Sequence, residues 1–552
     1  MKILLTSLNA RYSHTALAAR LIREALAREG VAAELLEATI NTPSSFVAES
    51  IYLASPDLLA FSVYIWNADA VLRLIRRLRP VLPHALFVLG GPEAEDRAEE
   101  LLRSGAADLV LAGEGEANFP ALVRAVQGGL SFETIPGAFF LHNGGVVQTP
   151  RAPFCDLGLL PLPYRPDEAL EHRIVYYEAS RGCPYRCSYC RSANDPPLRL
   201  RPLLMVFEDL SALLARRPMQ VKFVDRTFNA DRERALAIWR HLAESDNGTT
   251  GFQFEITAEL LDEEQLQYLS SVRPGLFQFE IGVQSSFPPA LAAVRRPCRL
   301  DSLSHAVRRL GEAGNIHRHL DLIAGLPLEG FSDFRRSFEF VFSLRPEQLQ
   351  LGFLKVLAGA PIAAEAKRYG ILFAPDPPYE VLATGALSHG ELLRIKRVEA
   401  AVELYYNSGR FDAMLQFALP LFPTAFSLFE ALGDQLADGE RHDSGWYHTA
   451  FLRAVSQRLG FDCSALLAPR CRFDLAAVSK PNTVPGWARV PYPKERIAAL
   501  CPNDRPSADH FLGVFPGGLC GRPEPEVLVR FDYARRDLRG RAAAHVLGPF
   551  AP

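Results

Sequence analysis

The stretch "YEASRGCPYRCSYCRSAN", residues Tyr177–Asn194, carries three of the nine cysteines in this 552-residue chain. Cys183, Cys187 and Cys190 have the spacing C-x3-C-x2-C. Thiols this close together predict a disulfide, a zinc site or an iron–sulfur cluster. Zinc is the weaker hypothesis, because neither a second C-x-x-C pair nor a histidine cluster follows Cys190. Three protein ligands on a four-iron cluster would leave one iron open to a substrate or cofactor.

The composition around this stretch is that of a globular protein, with 48% hydrophobic and 22% charged residues. A formal charge of −3 offers no broad basic surface, so nucleic-acid or membrane binding is not favoured. The opening "MKILLTSLNARYSH" lacks the features of a secretory signal, which predicts reduced thiols and a cytoplasmic location. The apolar stretch "AMLQFALPLFPTAFSLF" contains two prolines and predicts two buried helical pieces that meet at a kink.

Four segments follow from the hydrophobic pattern. Residues 1–132 alternate five apolar runs with amphipathic helical stretches, which predicts a doubly wound Rossmann-like or flavodoxin-like α/β domain. Residues 133–172 are rich in Pro and Gly and predict a linker with a hairpin at Asn143-Gly144-Gly145. Residues 173–365 predict six βα units, enough for an incomplete (βα)6 barrel. Residues 366–552 predict a mainly α-helical domain that ends in the strand-like "EVLVRFDY".

The cysteine triplet resembles the signature of the radical S-adenosylmethionine (SAM) enzymes. Tyr189 supplies the aromatic residue that this family usually carries before the last cysteine. The resemblance implies that the three thiolates hold a [4Fe–4S] cluster whose open iron chelates SAM. It further implies one-electron cleavage of SAM to a 5′-deoxyadenosyl radical.

The remaining barrel motifs resemble the family's SAM-binding motifs in order and position. The segments are "FVDRTFN", "GFQFEITAE", "FEIGVQSS" and "DLIAGLPLEG", each at the end of a predicted strand. The resemblance implies contacts to the amino group, the ribose, the methionine end and the adenine of SAM. The candidate SAM-binding residues are Tyr189, Asp225, Thr227, Asn229, Glu255, Glu280, Gln284, Ile323 and Gly325.

A doubly wound domain before a radical SAM barrel is similar to the cobalamin-binding subclass of the family. A parallel sheet opens a crevice beyond the C-terminal ends of its strands, where a flat corrin needs one wide face. Three stretches after predicted strands fit that role: "YIWNAD", "GGPEAE" and "GEGEANF". The candidate cobalamin-binding residues are Tyr64, Trp66, Asn67, Gly90, Gly91, Pro92, Glu93, Glu114, Gly115 and Glu116.

The sequence departs from one known cobalamin pattern, because the D-x-H-x-x-G motif that supplies a cobalt ligand is missing. His14, in "LNARYSHTAL", is a possible substitute, although a capping or phosphate-contacting role is favoured at the start of a helical pattern. The overall layout resembles a family of radical SAM proteins with a C-terminal domain of unknown function, DUF4080-like. Four further cysteines there have irregular spacing, which favours scattered buried thiols over an auxiliary cluster: Cys463, Cys471, Cys501 and Cys520.

The resemblance implies an enzyme that uses a [4Fe–4S] cluster, SAM and cobalamin, most readily a methyltransferase acting on an unactivated carbon or phosphorus centre. One alternative is a cobalamin-assisted rearrangement or cyclisation without methyl transfer. A non-catalytic cobalamin or iron–sulfur sensor is an alternative of another class. Methylthiolation of tRNA is disfavoured, since the first cysteine is Cys155 and no cysteines lie in the N-terminal domain. No residue is assigned as catalytic.

The expected partners follow from the same resemblance. The substrate would be a small molecule of natural-product type, and histidines such as His317, His319 and His448 could contact it. An external electron donor such as flavodoxin or ferredoxin would reduce the cluster. Neither nucleic acid nor a membrane is expected as a partner.

Overall fold

A computed structural model describes residues 1–195, 197–437, 440, 442–481, 483–490, 495, 497, 509–522 and 525–550. The chain divides into two compact units. The first unit comprises residues 1–260, 355–367 and 373–381, and the second comprises residues 261–354, 368–372 and 382–552.

The strands are β1 (Ile3–Asn9), β2 (Glu34–Thr39), β3 (Leu58–Ser62), β4 (Leu86–Gly90), β5 (Leu109–Leu111), β6 (Ala138–His142), β7 (Gly145–Gln148), β8 (Ile174–Tyr177), β9 (Ser180–Arg181), β10 (Arg199–Leu200), β11 (Gln220–Phe223), β12 (Gly251–Ile256), β13 (Phe277–Gln284), β14 (His317–Ala324), β15 (Gln348–Phe353), β16 (Leu372–Phe373), β17 (Val381–Ala383), β18 (His510–Pro516), β19 (Glu526–Arg536) and β20 (Ala542–Pro549).

The α-helices are α1 (Leu17–Arg28), α2 (Ser44–Ala54), α3 (Ala68–Leu78), α4 (Pro92–Asp96), α5 (Ala98–Arg103), α6 (Gly115–Gln127), α7 (Leu203–Ala215), α8 (Arg232–Glu244), α9 (Glu263–Leu269), α10 (Pro288–Ala293), α11 (Leu300–Ala313), α12 (Phe331–Ser343), α13 (Pro361–Glu365), α14 (His389–Ala401), α15 (Asp412–Ala418), α16 (Ala425–Asp434), α17 (Ser444–Leu459) and α18 (Ser464–Val478).

The N-terminal sheet has the strand order β2-β1-β3-β4-β5, with all five strands parallel. This is the flavodoxin-like order, in which ligands bind beyond the C-terminal ends of the strands. Apolar side chains cover both faces of the sheet. Leu59 and Phe87 belong to one buried cluster, while Leu109 and Leu122 belong to the other. The prediction of a doubly wound domain is therefore confirmed.

The segment suggested as a linker adds two more strands to this sheet. β6 pairs antiparallel with β5, and β7 pairs antiparallel with β6. The predicted hairpin is present: Asn143 and Gly144 have φ values of 50° and 79°. Two successive positive φ angles are typical of the tight turn that matches the twist of paired strands.

Six further parallel strands correspond to the six predicted βα units, three in each compact unit. In the first unit, β11 pairs with β8 on one side and with β12 on the other. In the second unit, β14 pairs with both β13 and β15. Along β13 the buried apolar residues Phe277, Phe279, Ile281 and Val283 alternate with half-buried polar ones. One face of these strands packs on helices, and the other carries polar groups.

The C-terminal region is mainly helical, as predicted. α15 and α16 are buried helices separated at Pro420 and Pro423, which confirms the two pieces meeting at a kink. The strand-like "EVLVRFDY" lies in β19, the middle strand of an antiparallel sheet with the order β18-β19-β20. The two outer strands are not predicted by the sequence pattern.

Within the described ranges, no single helix reaches the length and hydropathy that a membrane span requires. One bent pair, Asp412–Leu421 with Ala425–Asp434 at 113°, satisfies those criteria by length and composition.

Candidate functional site

The cysteine loop, defined as Cys183–Cys190, follows β9 in the first unit. Cys187 is buried, whereas Cys183 and Cys190 are half-buried. The backbone N–H of Cys190 donates to Cys187 O at 3.0 Å, so a tight turn brings the second and third cysteines together. None of the three cysteines forms a disulfide, and burial raises the pKa of Cys190. A buried thiol gains most from a metal that stabilises the thiolate.

The chemistry of this donor set fits an iron–sulfur cluster better than a single metal ion. Over the residues that the structure describes, no group of three or more His, Cys, Asp or Glu side chains is arranged to hold one ion. A cubane, in contrast, binds its cysteines through different irons, so the thiols need not converge on one point. Three cysteine thiols in one eight-residue loop, none of them in a disulfide, are a donor set of this kind.

Two of the candidate SAM residues lie beside the cysteine loop, just beyond β11. The Thr227 hydroxyl is 3.5 Å from Cys183 Sγ. Asp225 accepts hydrogen bonds from Ala179 N at 3.0 Å and Ser180 Oγ at 2.5 Å, on the chain that leads into the loop. Burial raises the pKa of Asp225 to about 7, although both hydrogen bonds lower it. Asp225 therefore fixes the entry to the cysteine loop, and a SAM contact by this residue stays a prediction.

The other candidates in the first unit occupy neighbouring strand ends. The Asn229 amide pairs with the backbone of Thr257, with both distances at 2.9 Å. That pair joins the chain after β11 to the chain after β12. Glu255 lies in β12, and Tyr189 is half-buried within the cysteine loop. Their predicted contacts with SAM stay predictions.

The four candidates of the second unit lie on two adjacent strands. Glu280 and Gln284 belong to β13, Ile323 belongs to β14, and Gly325 follows β14 with φ 86°. Gln284 has φ 69° and lies where the register of β13 against β14 shifts. A non-glycine residue at such an angle costs about 1–3 kcal/mol, and such residues concentrate at ligand sites.

The side chain of Gln284 supports the same assignment. Among the described residues, its buried Oε1 has no hydrogen-bond partner. A buried amide oxygen without a partner is costly, by about 1–3 kcal/mol. An incoming donor such as an amine or hydroxyl would remove that cost. The amide is therefore suited to a ligand with such a group.

The candidates after β3 divide into two stacked rings, of which Trp66 is exposed and Tyr64 is half-buried, and a buried amide. Tyr64 and Trp66 are stacked, with ring centroids 4.3 Å apart and an angle of 7°. Trp66 is 53% exposed and thus offers a flat apolar surface. Asn67 is buried, accepts from Tyr64 N at 2.8 Å, and donates to Leu8 O and Ser62 O. Its amide builds the loop that presents the two rings.

The candidates after β4 form a close turn. Gly91 has φ 99°, and a Cβ at this position would lie 2.6 Å from Val63 O. Gly90 ends β4, and Pro92 begins α4. The buried Glu93 carboxylate contacts Arg97 at 3.4 Å and accepts from the Tyr379 hydroxyl.

The candidates after β5 are joined to the cysteine loop. Gly115 begins α6, with Glu114 before it and Glu116 after it. Arg181, two residues before Cys183, contacts Glu116 at 2.5 Å and Glu114 at 3.2 Å. These carboxylates therefore have partners within the protein, and their contact with cobalamin stays a prediction.

His14 has a different role from the one favoured by the sequence. Its Nδ1 is 2.6 Å from the Tyr176 hydroxyl, and α1 begins at Leu17 without a side-chain cap. Burial lowers the pKa of His14, and nearby cations lower it further. The capping prediction is therefore wrong, because the imidazole turns to β8 instead of the helix end.

The C-terminal cysteines and histidines are dispersed. Cys463 and Cys471 are fully buried, Cys520 is half-buried, and Cys501 lies outside the described residues. His448 is buried, and its ring lies 4.4 Å from that of Phe411 at an angle of 33°. His317 and His319 lie in β14, where burial lowers the pKa of His317.

Three residues near the predicted sites escape the motif analysis. Arg181 and Arg191 lie on either side of the cysteine loop, and the second pairs with Asp96 of α4. Glu329, after β14, is fully buried and accepts from Ser285 and Ser337. A signal for the arginines does exist in the sequence, since the loops "GPEAED" and "GEGEAN" supply matching negative charge.

Three family models match successive parts of the chain. A "B12 binding domain" matches residues 3–123, "Radical SAM superfamily" matches residues 177–341, and "Protein of unknown function (DUF4080)" matches residues 367–511.

Two curated relatives are similar over more than half of the chain. One is the cobalamin-dependent radical SAM methyltransferase TokK of Streptomyces tokunonensis, at 26% identity over 59% of this chain and 51% of the relative. The other is the 2-(S-pantetheinyl)-carbapenam-3-carboxylate methyltransferase of Streptantibioticus cattleyicolor, at 25% identity over 74% of this chain and 62% of the relative. The chain thus matches between half and two thirds of the length of these relatives.

A solved structure agrees with the fold. The radical SAM methyltransferase TsrM from Kitasatospora setae, with cobalamin and a [4Fe–4S] cluster bound, superposes with a TM-score of 0.58 at 18% identity. The match covers 69% of this chain and 79% of TsrM. The family resemblance drawn from the cysteine triplet is confirmed: the chain is a radical SAM protein with an N-terminal B12-binding domain and a C-terminal DUF4080 domain.

Proposed function

We propose that this chain is a cobalamin-dependent radical SAM enzyme that methylates an unactivated carbon or phosphorus centre of a small molecule. The observation that carries the proposal is the cysteine loop, with three cysteines in eight residues and no disulfide among them. It lies in the same compact unit as the segment that matches the B12-binding domain. The curated relatives are methyltransferases, which favours methyl transfer over rearrangement.

The cofactors are a [4Fe–4S] cluster, SAM and cobalamin. When bound, they supply a transferable methyl group and a radical that abstracts hydrogen from the substrate. The protein holds the reactants in a reactive geometry and excludes water. This positioning can account for a large part of a rate enhancement. The cluster ligands are Cys183, Cys187 and Cys190, and the support for them is that these thiols form no disulfide and are buried or half-buried.

The SAM-binding residues fall into two roles. Gln284 offers an unpaired amide oxygen to a ligand, within the part of the chain that the structure describes. Thr227 lies beside Cys183, so its hydroxyl is suited to contact a molecule bound at the cluster. Asp225 and Asn229 instead hold the strand-end backbone in place through the hydrogen bonds they already make. The direct contacts then come from Tyr189, Thr227, Glu255, Glu280, Gln284, Ile323 and Gly325.

Flat surfaces of the protein, more than charged side chains, contact the corrin ring of cobalamin in this proposal. The stacked rings of Tyr64 and Trp66 and the close turn at Gly91 leave flat surfaces beyond β3 and β4. The acidic candidates Glu93, Glu114 and Glu116 support those loops through partners inside the protein. The backbone geometry of these loops also depends on four further candidates, Gly90, Pro92, Gly115 and Asn67.

The working environment follows from this chemistry. Three thiols that must remain reduced are compatible with the cytoplasm. A one-electron donor such as flavodoxin or ferredoxin would reduce the cluster there. The substrate is a small molecule, with no role for nucleic acid or a membrane.

Anaerobic purification followed by iron, sulfide and corrin analysis tests the cofactor content. Reduction with dithionite in the presence of SAM should then release 5′-deoxyadenosine, with a sample lacking dithionite as the control. Zinc in place of iron, or no 5′-deoxyadenosine above the control, would refute the proposal. A preparation with cofactors bound but no SAM cleavage would instead support the sensor hypothesis.

The type of reaction is tested with SAM that carries a deuterated methyl group. Metabolite extracts supply the candidate substrates, and mass spectrometry detects a product heavier by one labelled methyl. We expect the label to appear in a product together with 5′-deoxyadenosine. A new product without the label would support rearrangement or cyclisation.

A further inference from the structure

The strongest unassigned feature is a pair of arginines at the two ends of the cysteine loop. Arg181 precedes Cys183 by two residues, and Arg191 directly follows Cys190. Both side chains reach carboxylates of the N-terminal domain, in the same compact unit. Neither arginine belongs to the cysteine motif.

Arg181 uses all three guanidinium nitrogens on different carboxylates. Nε contacts Glu178 at 2.8 Å, Nη1 contacts Glu114 at 3.2 Å, and Nη2 contacts Glu116 at 2.5 Å. Arg199, its partner across β9 and β10, also contacts Glu114. A planar fork with three partners fixes direction as well as distance, which a lysine ammonium cannot do.

This ion-pair group is shielded from solvent. The side chain of Arg181 is 14% exposed, and that of Glu116 is 7% exposed. Salt screens such pairs far less than surface pairs. The group therefore acts as a stable connection between the start of the cysteine loop and the loop after β5.

Arg191 makes the corresponding connection at the other end. It pairs with Asp96 at the end of α4 and lies 3.7 Å from Glu95. The segment 355–367 also holds the cysteine loop, because Ile362 N donates to Ser188 O at 2.8 Å. The loop is thus fixed at both ends and in its middle.

We propose that Arg181 and Arg191 are positioning residues that set the distance between the cluster in the cysteine loop and cobalamin on the N-terminal domain. This inference rests on the proposed function, since it needs both cofactors. Their partners lie in the two loops, after β4 and β5, that carry predicted cobalamin residues. A displacement of about 1 Å between reacting groups can cost about 100-fold in rate. Two tethers at the loop ends would prevent such a displacement.

The test uses the full-length protein loaded with hydroxocobalamin and a reconstituted cluster, then reduced with dithionite. Both the cobalt(II) of cobalamin and the reduced cluster are paramagnetic, so their magnetic interaction depends on their separation. We would compare the wild type with Arg191→Gln, with Arg181→Gln, and with the double variant. Arg103→Gln serves as the control, because it removes an exposed pair with Glu99 in the same domain.

The variants should shift the microwave power that half-saturates the cobalt(II) EPR signal, whereas Arg103→Gln should not. Release of 5′-deoxyadenosine should persist, while labelled methyl transfer per 5′-deoxyadenosine should fall by about 10- to 100-fold. The double variant Asp96→Arg/Arg191→Asp exchanges the two charges and should restore the wild-type EPR signal. It tests the inference even if Arg181→Gln does not fold.

An unchanged EPR interaction in Arg191→Gln, with both cofactors bound, would overturn the inference. A proportional loss of both activities, as from partial unfolding, would also overturn it. Failure of the proposed function would appear differently, as missing cofactors or missing 5′-deoxyadenosine in the wild type itself.

Discussion

The loops of the cobalamin-binding domain and the strand ends of the barrel segment use their polar side chains differently. Among the loop candidates, Asn67, Glu93 and Glu114 all have partners within the protein. At the strand ends of the barrel segment, Asp225 and Asn229 are paired as well, but the buried Oε1 of the candidate Gln284 has no hydrogen-bond partner among the described residues. Such atoms are rare in folded proteins and call for an explanation.

The difference suggests how each cofactor is held. A small, polar ligand such as SAM needs directed hydrogen bonds. Its site should therefore include polar atoms, such as Gln284 Oε1, that bond to SAM and not to other protein groups. A large, flat corrin needs a surface of the correct shape, so the side chains around it stabilise that surface. Substitutions at the strand ends should therefore weaken mainly SAM binding, and substitutions in the corrin loops should weaken mainly cobalamin binding.

The largest effect is expected when the three cysteines are replaced together. In Cys183→Ala/Cys187→Ala/Cys190→Ala, we expect complete loss of iron and of 5′-deoxyadenosine release, because no thiolate ligand remains. Cobalamin binding should be retained, since the corrin loops lie outside the cysteine loop. Iron and corrin content of the purified proteins measure both outcomes.

Cys520→Ala is the matched control, since this half-buried thiol lies outside the cysteine loop. It should keep iron, corrin and SAM cleavage at wild-type levels. Loss of cobalamin from the triple variant would show that the two halves of the site are not independent.

The second effect concerns the close turn after β4. Gly91→Ala places a methyl group 2.6 Å from Val63 O at a φ of 99°, while Gly90→Ala meets its nearest atom at 3.7 Å. Strain and overpacking together should destabilise Gly91→Ala by about 2–6 kcal/mol, and cobalamin binding should fall. Gly90→Ala should keep nearly the stability of the wild type and is the control for stability alone. Thermal unfolding and corrin content measure the difference.

Equal stability of the two alanine variants would contradict the role given to the turn. Retained SAM cleavage in Gly91→Ala would strengthen the comparison, because the defect would then be confined to the corrin side.

The third effect concerns Glu329, whose buried Oε2 has no partner within the described part of the chain. Burial raises its pKa from 4.5 to about 7, although Ser285 and Ser337 lower it. A carboxyl with a raised pKa stabilises the fold below pH 4.5, and that stabilisation is lost as the pH rises towards 7. The loss is about 3.5 kcal/mol, because each pKa unit corresponds to about 1.4 kcal/mol.

Glu329→Gln keeps the acceptor for both serines and cannot ionise. Its stability should match that of the wild type near pH 5 and exceed it near pH 8, as measured by urea unfolding at each pH. Unchanged SAM affinity in this variant would identify Glu329 as a neutral structural group. A wild type that becomes more stable with rising pH relative to Glu329→Gln would refute the assignment.

Most of the fold could be predicted from the sequence because its strands carry strong local patterns. β13 alternates buried Phe279 and Ile281 with polar residues, and the first five strands are short apolar runs between amphipathic helices. The Asn143–Gly144 turn was equally clear from residue type. In contrast, β20 is rich in alanine, which is depleted in strands, so the C-terminal sheet was not predicted in full.

The cysteine ligands could also be predicted from local spacing, whereas the contacts around them could not. Arg181 meets Glu114 and Glu116 across more than 60 residues; the sequence shows the opposite charges, but not which arginine meets which carboxylate. The same limit applies to Gln284, whose unpaired oxygen depends on the whole environment of the strand end. Motifs identify the ligand type, while packing decides which polar atoms remain for the ligand.

The smallest effect tests the role of Gln284 Oε1 directly. Gln284→Ala removes one hydrogen-bond acceptor, which should weaken SAM binding by about 1 kcal/mol, or about fivefold. The release of 5′-deoxyadenosine at saturating SAM should change little, because the cluster ligands are intact. Gln278→Ala, at the opposite end of β13, is the control and should bind SAM as the wild type does. Anaerobic titration calorimetry compares the two variants. If Gln284→Ala instead binds SAM normally, Gln284 Oε1 does not contact SAM. The proposed difference between polar strand ends and shaped corrin loops would then lose its main support.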